Sequence, residues 1–153
     1  MKNKINELIE KQMRSQYATN QGRDMHRKMQ NVFFNSGVWT GDDNIVSHIK
    51  NIPGLCEWLG PLSRTEVPVA GMVENKFISR RIDRLYVNND DKTVVVLDYK
   101  TDIDRNLFHE KYIEQLTEYY ALLKQIYKNF DIQCKILWLN DFTLENVRIK
   151  DII

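Results

Sequence analysis

Two short stretches of the chain carry residues whose types and spacing could do chemistry. One is Ile82-Asp83-Arg84-Leu85; the other, fifteen residues after Asp83, is Asp98-Tyr99-Lys100-Thr101. Asp98 ends the run Val94-Val95-Val96-Leu97, which reads as a buried central strand. A carboxylate there is costly unless it is paired, hydrogen-bonded or bound to a metal. Lys100 lies two residues on, and the period of a strand puts it on the face of Asp98.

The polar cluster Asn88-Asn89-Asp90-Asp91-Lys92 marks a hairpin between the two stretches. If the turn closes symmetrically over Asn89–Lys92, Val87 faces Val94 and Leu85 faces Val96. Asp83 then lies opposite Asp98 on the same face, with Cβ atoms roughly 5 Å apart. Two carboxylates so placed repel each other unless a cation lies between them. Converging oxygen ligands with room for water suit Mg²⁺ or Mn²⁺. The same register sets Arg81 opposite Lys100, an unfavourable pair, so the strand is expected to bend or bulge there.

The elements that must hold these residues follow from hydrophobic periodicity. Ile5, Leu8, Ile9, Gln12 and Met13 have helical spacing. A second helix is expected from Asn20, a capping residue, to about Ser36, with Met25, Met29, Val32 and Phe33 as its apolar stripe. A third covers about Asp42 to Asn51 and is stopped by Pro53-Gly54; a helical turn around Cys56–Leu59 follows. From Arg64 the period becomes that of strands: Thr65–Val69, where Pro68 suggests an edge, then Lys76–Val87 and Thr93–Lys100. A long amphipathic helix over about Phe108–Lys128 carries Tyr112, Leu116, Tyr119, Leu123 and Ile126. Strands at Ile132–Leu139 and Thr143–Ile149 complete the order. Helices, a strand meander, a long helix and further strands predict an α/β fold in α-βββ-α-β order, a central mixed sheet flanked by helices.

Composition agrees with one ordinary domain. The chain has 153 residues, 42% hydrophobic and 28% charged, and 22 basic against 21 acidic side chains. No repeat or linker divides it, so residues 1–153 are expected to form a single domain, helical over 1–60, with sheet and long helix over 64–150. A net charge of +1 excludes holding polyanions by bulk positive field, but not a local basic cleft. The two cysteines, Cys56 and Cys134, are too few for a disulfide scaffold or a four-cysteine metal site. No apolar run approaches the ~20 residues of a membrane helix, and the amino terminus does not read as a signal peptide. A cytoplasmic protein is the expectation.

The residues in this order resemble the PD-(D/E)XK nuclease superfamily, and within it the RecB/AddA-type nuclease domain. The shared pattern is Ile82-Asp83-Arg84-Leu85, then Asp98-Tyr99-Lys100-Thr101, then Tyr112-Ile-Glu-Gln115-Leu-Thr-Glu-Tyr119 on a helix. Gly22-Arg-Asp-Met-His26 matches the family's early-helix histidine, and Glu66-Val67-Pro68 its Glu-Val-Pro strand. One position departs: the family has glycine three residues before the first aspartate, and here Arg80 stands there.

The resemblance implies a restriction-endonuclease-like core and metal-dependent cleavage of DNA during recombination or repair. Asp83 and Asp98 would hold Mg²⁺ or Mn²⁺, with His26 and the backbone carbonyl of Tyr99 as further ligands. The ion would act as a Lewis acid toward the phosphate. Lys100 would position the attacking water and stabilise transition-state charge. Gln115 and Tyr119, four apart on one helical face, would bind the phosphate backbone or brace the site. Glu66 would be a water-mediated or supporting contact to the metal. Such domains are commonly fused to a helicase; this chain has no Gly-x-x-x-x-Gly-Lys-Ser/Thr motif and so no motor of its own, which leaves a stand-alone nuclease, a subunit, or a fragment from the carboxy-terminal end of a helicase.

Two other readings compete. A catalytically impaired nuclease-like module could bind DNA or a protein, and Arg80 keeps that open. A two-carboxylate glycosidase would use Asp83 and Asp98 but leave Lys100 unexplained. His48 and His109 read as surface residues. Arg14, Arg23, Arg27, Lys28, Arg80, Arg81, Arg84 and Arg105 could line a path for phosphates or simply be solvated.

Overall fold

The structure, a computed structural model, describes residues 4–8, 22–102 and 105–149. Residues 4–8 are helical; the expected continuation through Ile9, Gln12 and Met13, the Asn20 cap and Arg14 all lie outside the described residues. Helix α1 covers residues 22–30. A small hairpin of β1 (Phe33–Asn35) and β2 (Val38–Thr40) follows, then α2 (Asp43–Ile49) and α3 (Leu55–Trp58). The main sheet is built by β3 (Ser63–Val73), β4 (Lys76–Asn88), β5 (Thr93–Lys100), β6 (Asp131–Trp138) and β7 (Thr143–Val147). Helix α4 (Arg105–Ile126) connects β5 to β6.

The strands lie in chain order, β3-β4-β5-β6-β7. Only β5 and β6 are parallel, because α4 carries the chain back across the sheet; the other neighbours are antiparallel. This is a mixed sheet flanked by helices. Strand β5 shows why its sequence is apolar without alternation. Val94 and Val96 pack with Leu116, Tyr119 and Leu123 of α4, whereas Val95 and Leu97 pack with Met29, Ile45, Ile49 and Leu55 from α1–α3. Pro68 sits on β3, an edge strand, as its missing N–H requires.

One expected element differs. The helix projected to Ser36 ends at Gln30, and Phe33 and Phe34 enter a β-hairpin. Ser36 and Gly37, with φ of 53° and 80°, make the two-residue turn that such a hairpin favours. The apolar stripe of α1 runs straight into Phe33, so local periodicity could not mark the boundary. Helix α2 begins where expected, with the Asp42 side chain accepting from the Ile45 N–H. Cys56 and Cys134 are both free thiols. Among the described residues no helix is long and apolar enough to cross a membrane.

Candidate functional site

The β4–β5 hairpin closes in the expected register: Val87 faces Val94, Leu85 faces Val96, and the last pair is Arg84 with Leu97. Continued by one step, that register sets Asp83 against Asp98. The ladder stops there, so Arg81 and Lys100 never meet as a pair. Strand β5 goes on paired with β6 as far as Lys100 and Trp138, while β4 stays with β3. The two central strands therefore part at the two aspartates.

The opening is matched by an irregularity in β3 and β4. Thr65 pairs with Arg84 and Val67 with Ile82, but Glu66 and Asp83 between them do not pair, and Glu66 has φ of 52°. Ile82 and Leu85, three residues apart, both enter the layer under α4. A regular strand sends residues three apart to opposite faces, so alternation changes phase at Asp83. A non-glycine residue in the left-handed region is uncommon, and here it marks the site.

Side chains take over the backbone's role in the gap. The Tyr99 N–H donates to Asp83 Oδ2 at 2.8 Å, the bond that a continuing ladder would have supplied. The N–H and C=O of one strand residue point the same way, so the Tyr99 carbonyl also faces this opening. His26 Nδ1 stands 3.8 Å from Asp83 Oδ1. Burial holds the imidazole below its ordinary pKa, against the opposing pull of Asp98, so it is neutral and able to donate a lone pair. Gly22 lets α1 approach: a Cβ there would lie 2.8 Å from Thr101 Oγ1, just past β5.

Asp98 is 2% exposed. Lys100 Nζ lies 3.0 Å from its Oδ2, but that oxygen has no hydrogen-bond partner among the described residues. The contact is therefore an electrostatic one, off the line that a hydrogen bond needs. Lys100 donates instead to Gln115 Oε1 at 2.9 Å and stands 4.6 Å over the Tyr112 ring. Gln115 donates to the Tyr119 hydroxyl at 2.8 Å, which reaches the Arg81 carbonyl at 3.3 Å. Helical spacing on α4 thus delivers Tyr112, Gln115 and Tyr119 as a row beside Lys100. Burial raises the hydroxyl pKa of Tyr119, and that of Tyr99 to about 12, so both stay protonated.

The Asp83 carboxyl is pushed up to about 8, first by burial and then by the charge of Asp98. The pair is a site of unbalanced acid, with one ammonium alongside. Glu66 is nearby but engaged elsewhere, accepting from Gln30 of α1 and lying 3.6 Å from Arg81.

Among the described residues no group of three or more His, Cys, Asp or Glu side chains is arranged to hold a metal ion. The donors that do converge are two carboxylates and a carbonyl, one of the carboxylate oxygens being unsatisfied. That is a fit to Mg²⁺ or Mn²⁺, since such hard ions keep several waters and need only one or two carboxylates from the protein. It is a poor fit to a closed zinc site.

Other expectations are revised. Arg84, read as a surface or phosphate-facing cation, is fully buried. Its signal was in the sequence, since the strand period puts it on the face of Tyr86, opposite Leu85, and both of those residues are buried. Arg80, at the family's glycine position, donates to Glu118 of α4 at 2.8 Å, and β4 stays paired with β3 through it. His109 is partly exposed, as expected of a surface residue, and its Nε2 meets Glu145 of β7, which also accepts from Trp138. His48 is exposed, bonded to Asn44 and stacked on Phe142. No family model matches the chain, and no curated protein does either.

Proposed function

We propose that this chain is a divalent-metal-dependent deoxyribonuclease domain of the RecB/AddA type, with a restriction-endonuclease-like core, acting on DNA in recombination or repair. The observation that carries the reading is the buried Asp98 Oδ2, which has no hydrogen-bond partner among the described residues and lies beside Asp83, 3.0 Å from Lys100 Nζ. Two buried carboxyl groups with a single ammonium between them are costly for a structural core, which favours a use for the arrangement.

Asp83, Asp98 and the Tyr99 carbonyl are the groups that would hold Mg²⁺ or Mn²⁺, with His26 at the edge. A bound ion would supply Lewis acidity toward the phosphate. The chain's own residues do the rest. Lys100, aimed by Gln115 and held over Tyr112, presents an ammonium where negative charge grows on the phosphate. Gln115 and Tyr119 keep that ammonium in one position, so little reorganisation is needed during the reaction. Buried walls around Asp98 limit water and strengthen each of these electrostatic contacts. A helicase, as a separate subunit or adjoining domain, is the partner this reading favours.

The test is nicking of single- and double-stranded DNA across a Mg²⁺ or Mn²⁺ titration, for the unaltered chain, Asp98→Ala and Lys100→Ala. Metal-dependent cutting lost in both variants supports the enzyme. DNA binding that survives both, with no cutting by the unaltered chain at any metal concentration, would replace it with a non-catalytic binding module.

A further inference from the structure

We propose that Arg84 is a positioning residue that sets the distance between His26 and the acid pair, and through it the affinity of the site for a divalent cation. The inference rests on the metal-dependent reading above and assigns a new role within it.

Arg84 is fully buried, and no carboxylate pairs with it among the described residues. Its Nη2 donates to the carbonyls of Met29 at 3.1 Å and Val32 at 2.8 Å, and lies 3.5 Å from that of Gln30. Its Nε donates to the Tyr99 hydroxyl at 3.0 Å, and its Nη1 lies 3.4 Å from Ser63 Oγ. The guanidinium carbon stands 4.4 Å over the Phe33 ring. Burying this charge is costly, and its compensation comes from neutral oxygens only.

Those oxygens belong to the elements that carry the site. Met29 and Gln30 form the last turn of α1, whose carbonyls form the negative end of the helix dipole and attract a cation; that of Met29 also accepts from the Val32 N–H at 3.1 Å. His26 lies one turn earlier on the same helix, three and four residues from them. Tyr99 is the β5 residue whose N–H holds Asp83, and its ring packs edge-on against His26 at 5.9 Å. Arg84 itself follows Asp83 in β4. One side chain therefore ties α1, β4 and β5 together where His26, Asp83 and Tyr99 converge. Only a planar fork with five donors reaches these partners at once; a lysine would satisfy a fraction of them.

The test is a double-mutant cycle on metal affinity, read by calorimetric titration of Mn²⁺ and Mg²⁺ into the full chain. Arg84→Lys is expected to weaken binding about 10–100-fold, as loss of a group supporting a metal ligand does. In a His26→Ala background the same change should cost less than about 3-fold, because the route through His26 is already gone. Melting curves and near-ultraviolet dichroism check that each variant is folded. Tyr99→Phe, which removes only the acceptor of Arg84 Nε, should give a smaller loss that also disappears in His26→Ala. If Arg84→Lys does not fold, Tyr99→Phe decides: unchanged affinity overturns the proposal. Losses that simply add overturn it too, leaving the metal site in place. An unaltered chain with no affinity for either ion overturns both it and the metal-dependent reading.

Discussion

The β4–β5 pair has two ends that obey different rules. From Asn88–Thr93 to Arg84–Leu97 the backbone groups satisfy one another and the side chains fill two apolar layers. Beyond Leu97 the strands separate, and a carboxylate, an imidazole and an ammonium occupy the opening. The closed end stabilises the fold by burial. The open end has two acids whose burial works against the fold, held there by the rigidity of the first. Local strain and an unsatisfied oxygen are tolerated at one end because the other over-determines the strand positions.

Substitutions at the two ends should separate activity from stability. The largest effect belongs to the open end: Lys100→Ala should lower the DNA cleavage rate about 10²–10³-fold, the usual loss for one transition-state donor. Removing the ammonium beside buried Asp98 should also cost stability, so the rate is compared per folded molecule; an unchanged rate per folded molecule would make Lys100 a structural residue instead.

Leu97→Ala, at the closed end, should do the reverse. Leu97 is fully buried, so the change costs about 2–5 kcal/mol in denaturant unfolding. Cleavage per folded molecule should be little changed at low temperature. A selective loss of cutting with full stability would erase the distinction between the ends.

Asp83→Asn sharpens the comparison through pH. In the unfolded chain the carboxyl ionises near 3.8, but in the fold it keeps its proton to about 8. Metal-free stability contributed by this group therefore falls as pH rises through that window. The amide cannot ionise, yet it still offers an oxygen to the Tyr99 N–H. At about pH 8 the variant should be more stable than the unaltered chain, read as a higher melting temperature, and the advantage should shrink as pH falls. Because a cation must displace the Asp83 proton, saturating Mg²⁺ should raise the unaltered chain's melting temperature more at about pH 8 than at about pH 6. An equal or opposite response at the two pH values counts against Asp83 as a ligand.

Arg80→Ala should do least. Its pair with Glu118 is half exposed, and such pairs contribute about 0–1 kcal/mol. Cleavage should be unchanged, since Arg80 is directed to α4 and not to the aspartates. A marked loss of DNA affinity would instead make it a nucleic-acid contact.

Much of this arrangement was legible in the residues. The hairpin register followed from a polar turn and matched apolar runs, because pairing across a short loop has few alternatives. The spacing of Asp98 and Lys100, and of Tyr112, Gln115 and Tyr119, needed only the periods of a strand and a helix. Arg84 was misread because charge was weighed above alternation. The end of α1 was misread because the hairpin at Phe33 is stabilised by distant contacts: Phe34 donates its N–H to Leu59, far along the chain.

The amino-acid order alone determined which segments form the strands of the main sheet, which residues lie across the β4–β5 hairpin, and that two acids and a lysine share one face. These are short-range properties, set by side-chain period and by turns that few residues can make. Tertiary structure alone decided where the β4–β5 ladder stops, that Glu66 turns into the left-handed region, and that the carbonyls at the end of α1 are what the buried Arg84 meets. Each depends on what packs from another layer, and the free energy of that packing is not contained in any local window of sequence.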